Sequence, residues 1–276
     1  MGGMKVAKGN FKPLWVPVGY VNAATPLYVG QVITKLTDTT YGGFSNFGAA
    51  AGVGDGTTDK VPFGIVKATN NFTELYNSTY HSAYITDCTL QATQVVTRKS
   101  LGVEGQFGVS DPAPYVQVDL ITAETVIKAP IFFTAYGTAP TVYTNTTQST
   151  TGLRVTTTAI GQSNIAGGAI FYCRSGANKG LYRITSSTST TAHDLVVAFP
   201  YDVEAGDTFV YVNIVPGTTR GQFDANAMCI LGDAARAAAG DFYWLDILEI
   251  NLKEAGKEYA IFRFNPFCFL PLKAVA

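Results

Sequence analysis

The side chains that could do chemistry in this 276-residue chain are few and scattered. There are two histidines, His81 and His193, and four cysteines, Cys88, Cys173, Cys229 and Cys268. A zinc or iron site commonly draws several His or Cys ligands from short spacings. Neither residue type clusters here, and there is no C-x-x-C pair. Spacing does not establish a disulfide, so the expectation is four buried or semi-buried thiols in a reducing compartment. A Ser-His-Asp triad needs a positioned base. His81 lies in a polar stretch, and the pair His193-Asp194 reads as a turn ahead of a strand at 195–199. No G-x-S-x-G elbow is present.

Glycine-rich segments and carboxylates are the remaining chemistry-bearing features. Gly176-Ala-Asn-Lys-Gly180 has the glycines and lysine of a phosphate loop in the wrong order. It lies between two candidate strands, so it reads as a hairpin turn. Gly52-Val-Gly-Asp-Gly56 is not followed by the long helix a dinucleotide site requires. Asp55 and Asp59 offer oxygens to a calcium ion, but a fuller ligand set is missing, and a solvated loop is the reading. Glu249, Glu254 and Glu258 gather around one turn and read as solvent-facing or turn residues rather than a glycosidase pair. The triplets starting at Asn71, Asn77 and Asn145 read as chance matches to a glycosylation signal. No residue is therefore assigned a catalytic, cofactor-binding or metal role, no cofactor is expected, and the chain is not expected to be an enzyme.

Composition points the same way. Charged residues make up 14% of the chain, against about 25% in an average protein. Thr, Ser, Asn, Gly and Tyr take their place, and the 17 Phe and 15 Tyr supply anchors for cores and interfaces. A surface so poor in charge is weakly protected against association. The net charge of −1 gives no footprint for nucleic acid or anionic lipid, and Arg98-Lys99 is the largest basic cluster. Residues 1–10 have no apolar core of a signal peptide, and Val6 stands where a myristoylation motif wants Ser or Thr. No apolar run reaches 18 residues, so no membrane span is expected.

Period-two alternation of β-branched and aromatic residues dominates. Strands are expected at 14–21, 27–36, 61–68, 91–98, 115–121, 126–134, 153–159, 168–173, 180–186, 194–199, 208–215, 242–250 and 258–264. Helix signals are confined to 233–239, with Asp233 as N-cap and Gly240 as stop, and to 72–80. Glycine-dense 42–60 reads as a long loop. Apolar strands flank Glu254-Ala-Gly-Lys257, which reads as a hairpin turn. The expected fold is mainly β: an antiparallel β-barrel or sandwich base with a second β module and very little helix. The domains expected are 1–136 as the base, 137–218 as a projecting or bridging module bounded by Pro216-Gly217, and 219–276 completing the base or forming a subunit interface.

Residues 168–212 resemble a β module seen in tailed-phage virion proteins. The matching positions are Ser175, Gly176, Gly180, Arg183, Thr190, Thr191, Phe199, Pro200, Ala205, Gly206, Asp207, Thr208 and Phe209. Residues 24–38, ATPLYVGQVITKLTD, and 61–71, VPFGIVKATNN, are similar to small phage capsid decoration (cement) proteins. The resemblance covers about half the chain, and the glycine-rich 42–60 and the C-terminal hairpin depart from it. It implies a base that binds the outside of a capsid, often as a trimer. The major capsid protein and further copies of the chain would be its partners. It also implies localisation on the virion after synthesis in the host cytoplasm, with no nucleic acid or membrane bound. Two other readings stay open: a receptor- or glycan-binding tail or fibre component, and a single-β-barrel capsid subunit.

Overall fold

The computed structural model describes residues 3–9, 13–17, 27–36, 43–46, 61–69, 89–90, 115–147, 152–158, 167–214, 220–221, 223–224, 227–233 and 243–269. Among these the chain is mainly β and almost wholly antiparallel, as its alternation predicts, and helix is confined to a 3-10 turn at Pro266–Phe269. It divides into two compact units. The first comprises 1–128, 225–228 and 264–276, and the second 129–224 and 229–263. The cut thus falls inside a continuous strand near 128, not at the change of texture near 137. Most of the C-terminal hairpin is counted with the second unit.

In the first unit, β1 is Lys5–Lys8, β2 Pro13–Pro17, β3 Leu27–Tyr28, β4 Val32–Leu36, β5 Gly43–Asn46, β6 Pro62–Thr69, β7 Thr89–Leu90 and β8 Tyr115–Leu120. Five of these form a sheet in the order β2-β8-β6-β4-β5. Register shifts interrupt the β4–β6 and β6–β8 ladders. Such bulges bend a sheet, and this one curls into a half-barrel whose edge strands β2 and β5 approach each other. Val32, Ile33, Ile65, Val66 and Val118 are buried, and since consecutive residues point to opposite faces, apolar side chains are buried on both faces of the sheet.

The expected strand at 27–36 is broken in two. Gly30 adopts φ +86° between β3 and β4, where a side chain is strained. A Cβ on Gly30 would also strike the backbone of Gly3, whose neighbour Met4 donates its N–H to Gly30 O at 2.8 Å. The glycine of the Pro-Leu-x-x-Gly-x-Val stretch is thus needed for a crossing of two backbones. A second correction concerns 42–60: Gly43–Asn46 is strand β5, because β4 supplies a complete antiparallel partner for it. The expected strand 91–98 and helix 72–80 lie outside the described residues, as do 234–240 and Pro216-Gly217.

β9, Val126–Phe132, pairs with β1 through its first three residues. Its remainder belongs to the second unit, with β10 Tyr143–Thr144, β11 Arg154–Thr156, β12 Ile170–Cys173, β13 Gly180–Ser187, β14 Ala192–Leu195, β15 Thr208–Val212, β16 Arg220–Gly221, β17 Ile230–Leu231, β18 Tyr243–Asn251 and β19 Tyr259–Phe264. One sheet runs β9-β19-β18-β16, with β17 parallel to β9. The expected strand 126–134 stops at Phe132. Beyond it, Ala135 N–H bonds Phe133 O and Thr134 takes φ +64°, a γ-turn of the rarer, strained form. The Asp233 carboxylate receives both the N–H and the hydroxyl of Thr134, at 3.0 and 3.3 Å, which holds that turn.

The other sheet has the order β10-β15-β12-β13-β14-β11, and its two ends meet. Asn145 and Thr157 form an antiparallel bridge, Thr146 N–H bonds Thr156 O at 2.9 Å, and Thr158 N–H bonds Thr144 O at 2.8 Å. Among the described residues this sheet is therefore closed in its hydrogen-bonding order. One of its faces is lined by aromatic rings. Phe171 and Phe209 lie 4.8 Å apart between ring centroids, and Phe199 packs on both Phe209 and Tyr182. Burial of each such ring contributes roughly 1.5–3 kcal/mol.

Candidate functional site

Of the residues that carry the sequence resemblance, Ser175, Gly176, Gly180, Asp207, Thr208 and Phe209 meet at one end of the closed sheet, while Thr190 and Thr191 lie in the β13–β14 turn at the other. β12 and β13 are joined by the Gly176–Gly180 segment, a hairpin connection as expected, with Gly176 at φ +72°. Asp207, 7% exposed, stands beside that turn. Its carboxylate accepts the Ser175 hydroxyl at 3.0 Å and the Glu204 N–H at 3.2 Å, while Thr208 N–H donates to Ser175 Oγ at 2.8 Å. A Cβ on Gly176 would overlap that carboxylate. Gly176, Ser175, Asp207 and Thr208 are thus one interlocked turn, held by the ability of Asp to satisfy local N–H groups.

Asn178 locks the neighbouring loop. Its Nδ2 donates to Tyr201 O and Asp202 O at 2.9 and 3.2 Å, and its Oδ1 accepts Tyr201 N–H at 3.0 Å. Tyr182 then donates its hydroxyl to Asn178 O at 3.0 Å. Sequence reading passed over Asn178, since an Asn in a Gly-rich turn looks like a local turn former. Its partners lie 23 and 24 residues away.

The groups weighed for chemistry are occupied structurally. His193 sits inside β14 rather than in a turn, and it is completely buried. Its Nδ1 meets Ser187 Oγ at 2.9 Å and its Nε2 meets Thr157 Oγ1 at 3.3 Å. Burial pushes the imidazole down to about 4, against the opposing pull of Asp194. The predicted strand 194–199 is corrected accordingly: β14 is Ala192–Leu195, and 196–199 leave the sheet. Glu258 is not solvent-facing. It is 3% exposed and pairs with Arg174 at 2.5 Å, and Arg174 Nε also donates to Leu252 O. Glu249 is exposed and accepts the Tyr259 hydroxyl, and Glu254 is exposed and pairs with Lys257 at 2.7 Å. The predicted turn at 254–257 is present, closed by Lys257 N–H to Glu254 O with Gly256 at φ +75°.

Cys173, Cys229 and Cys268 are buried thiols, as expected of three of the four. Desolvation raises the thiol of Cys173 to about 11 and that of Cys229 further, which suppresses the reactive thiolate. Asn145 is buried, and its amide donates to Thr147 O and Glu204 O. His81, Cys88, Asp55, Asp59, Gly52–Gly56, Asn71, Asn77, Arg98 and Lys99 lie outside the described residues. Among the described residues no three of His, Cys, Asp and Glu gather as metal ligands would, and no helix is long and apolar enough to cross a membrane.

What the second unit does offer is exposed apolar side chain. Val196 and Val197 are 56% and 65% exposed, and Leu153 and Tyr201 are 49% and 63% exposed. The segment that carries Val196 and Val197 runs beside Leu153: Leu195 N–H bonds Leu153 O, and Phe199 N–H bonds Gly152 O. Reading 194–199 as a strand hid this rim, because it assigned Val196 and Val197 to a half-buried surface. The departing signal was the unalternating Val-Val-Ala run ahead of Phe199-Pro200. No family model, curated protein or solved structure matches this chain.

Proposed function

We propose that the chain is a non-enzymatic structural protein of a virus particle, a capsid decoration protein that binds the outer shell as a trimer and stabilises it. The observation that carries the reading is the use made of the phage-like module. Its shared residues Ser175, Gly176, Asp207 and Thr208 build one turn, and the neighbouring loop presents apolar Val196, Val197 and Tyr201 outward. A charge-poor chain with 14% Asp, Glu, Lys and Arg is suited to large static contacts. The partners would be the major capsid protein and two further copies of the chain. A protein that binds only the assembled shell stabilises it by mass action.

The test is to mix the purified chain with shells assembled from the major capsid protein of the same virus. Co-sedimentation at a fixed stoichiometry, a raised shell melting temperature and a trimer by light scattering are expected. A monomer that leaves the shells unbound overturns the proposal. Binding to a glycan array without shell binding moves the chain to the tail or fibre.

A further inference from the structure

The closed sheet of the second unit has a titratable group at its closure. β11 pairs with β14 through Val155 opposite His193, and β11 continues into Thr157, which bridges to Asn145 and completes the ring of strands. The Thr157 hydroxyl touches His193 Nε2 and also donates to Thr158 O at 2.9 Å. A hydroxyl has one proton to give. Since Thr157 gives it to Thr158 O, it must accept from His193, so Nε2 carries the imidazole proton. Nδ1 is then the acceptor, and Ser187 donates to it at 2.9 Å.

Adding a proton at Nδ1 reverses this arrangement. The Ser187 hydroxyl must turn away its proton and accept instead, and a cation is left in a site with zero solvent exposure beside the Phe171 ring. The charged groups on the strands packed here are few. Asp194 adjoins His193 on β14 but is held by Arg154 of β11, with Nε and Nη2 donating at 2.7 and 3.0 Å. Arg183 on β13 is exposed, and β12 presents Phe171 and the neutral thiol of Cys173. We infer that His193 is an acid-labile latch: protonation at Nδ1 turns the Ser187 hydroxyl from donor to acceptor and leaves an uncompensated cation inside the closed sheet, which opening between β10 and β11 relieves by letting water reach the imidazole.

Burial pushing the imidazole from its ordinary 6.5 to about 4 agrees with this. A group depressed in the fold contributes stability that is complete above its unfolded value and is lost as pH falls toward its folded value. The window is therefore between 6.5 and about 4. The latch stands whether or not the chain decorates a shell.

Amide hydrogen exchange across that window tests it in the full chain. The N–H groups of Thr146 and Thr158 close the seam, and their protection should fall by about tenfold or more between pH 7.5 and pH 5. Those of Phe171 and Tyr172 should hold. In His193→Gln, a neutral side chain that still donates and accepts, seam protection should persist to pH 4. In Asp194→Asn the acid loss should remain. Should His193→Gln fail to fold, Ser187→Ala replaces it: losing the Nδ1 donor raises the imidazole titration followed by NMR, and the seam opens at higher pH. Seam protection unchanged to pH 4, loss of equal size in His193→Gln, disappearance of the loss in Asp194→Asn, or an imidazole titration unmoved in Ser187→Ala would each overturn the latch.

Discussion

Two arginine–carboxylate pairs in the second unit differ in surroundings far more than in length. Arg174 meets Glu258 at 2.5 Å with side-chain exposures of 10% and 2%, and Arg154 meets Asp194 at 2.7 Å with exposures of 50% and 27%. The first ties the end of β12 to the β18–β19 hairpin across 84 residues of sequence. The second bridges adjacent strands of the closed sheet, and water competes for it. An exposed pair gains little because solvent screens it. A buried pair adds little over well-packed apolar residues, but removing one partner strands a charge. Environment, then, should decide which pair the fold depends on.

The comparison breaks first, if it breaks, at Glu258. Glu258→Gln leaves Arg174 buried without its counter-charge and should cost about 3–5 kcal/mol of unfolding free energy. A urea titration reads this as a lower midpoint with an unchanged slope. The double replacement Arg174→Met with Glu258→Leu removes both charges and should recover most of the loss. If the single variant proves as stable as wild type, the pair is not desolvated in the way its exposure indicates.

The next effect belongs to Asn178, which stands for the buried amide links as Glu258 does for the buried charges. Asn178→Ala removes three side-chain hydrogen bonds and leaves Tyr201 N–H and the carbonyls of Tyr201 and Asp202 unsatisfied. At roughly 1 kcal/mol for each bond, the loss should be about 2–3 kcal/mol. Exchange of the Tyr201 amide should quicken with it.

The same contrast explains what the sequence displays and what it hides. β13 and β19 follow their alternation because each buries one face, and the 254–257 turn announces itself by glycine between charged residues. Glu258 follows that turn by one residue and so resembles it, while the arginine that buries it is remote in sequence. β5 reads as loop because Gly43–Asn46 has little propensity of its own, and pairing with β4 supplies what the residues lack. The Asn145–Thr157 bridge closes a ring of six strands, a fact of long-range register that no local pattern contains. Gly176 was legible as a turn residue, but its second constraint, the Asp207 carboxylate, was not.

That second constraint is separable. Gly176→Ala suffers both a left-handed backbone and an overlap with Asp207. A glycine-to-alanine change at incompatible φ costs more than about 1 kcal/mol. In the background Asp207→Ala the overlap is gone and only the backbone strain remains. The Gly176→Ala penalty should therefore shrink there, a coupling that a double-mutant cycle by urea unfolding measures.

The smallest effect is expected at the exposed pair, and it is the sharpest check on the comparison. Arg154 holds the Asp194 carboxyl below the usual carboxylate range, so the pair contributes stability above that range and loses it as the carboxyl is protonated at lower pH. Solvent screening reduces that contribution, and salt should reduce it further. Asp194→Asn at neutral pH should leave the Tm within reproducibility in moderate salt, with any deficit appearing only at low ionic strength. Glu258→Gln under the same conditions should stay destabilised at every salt concentration, because the ions that screen Asp194 have no access to a side chain 2% exposed. If Asp194→Asn instead matched Glu258→Gln and ignored salt, the β11–β14 pairing would depend on that ion pair, and burial would no longer separate the two.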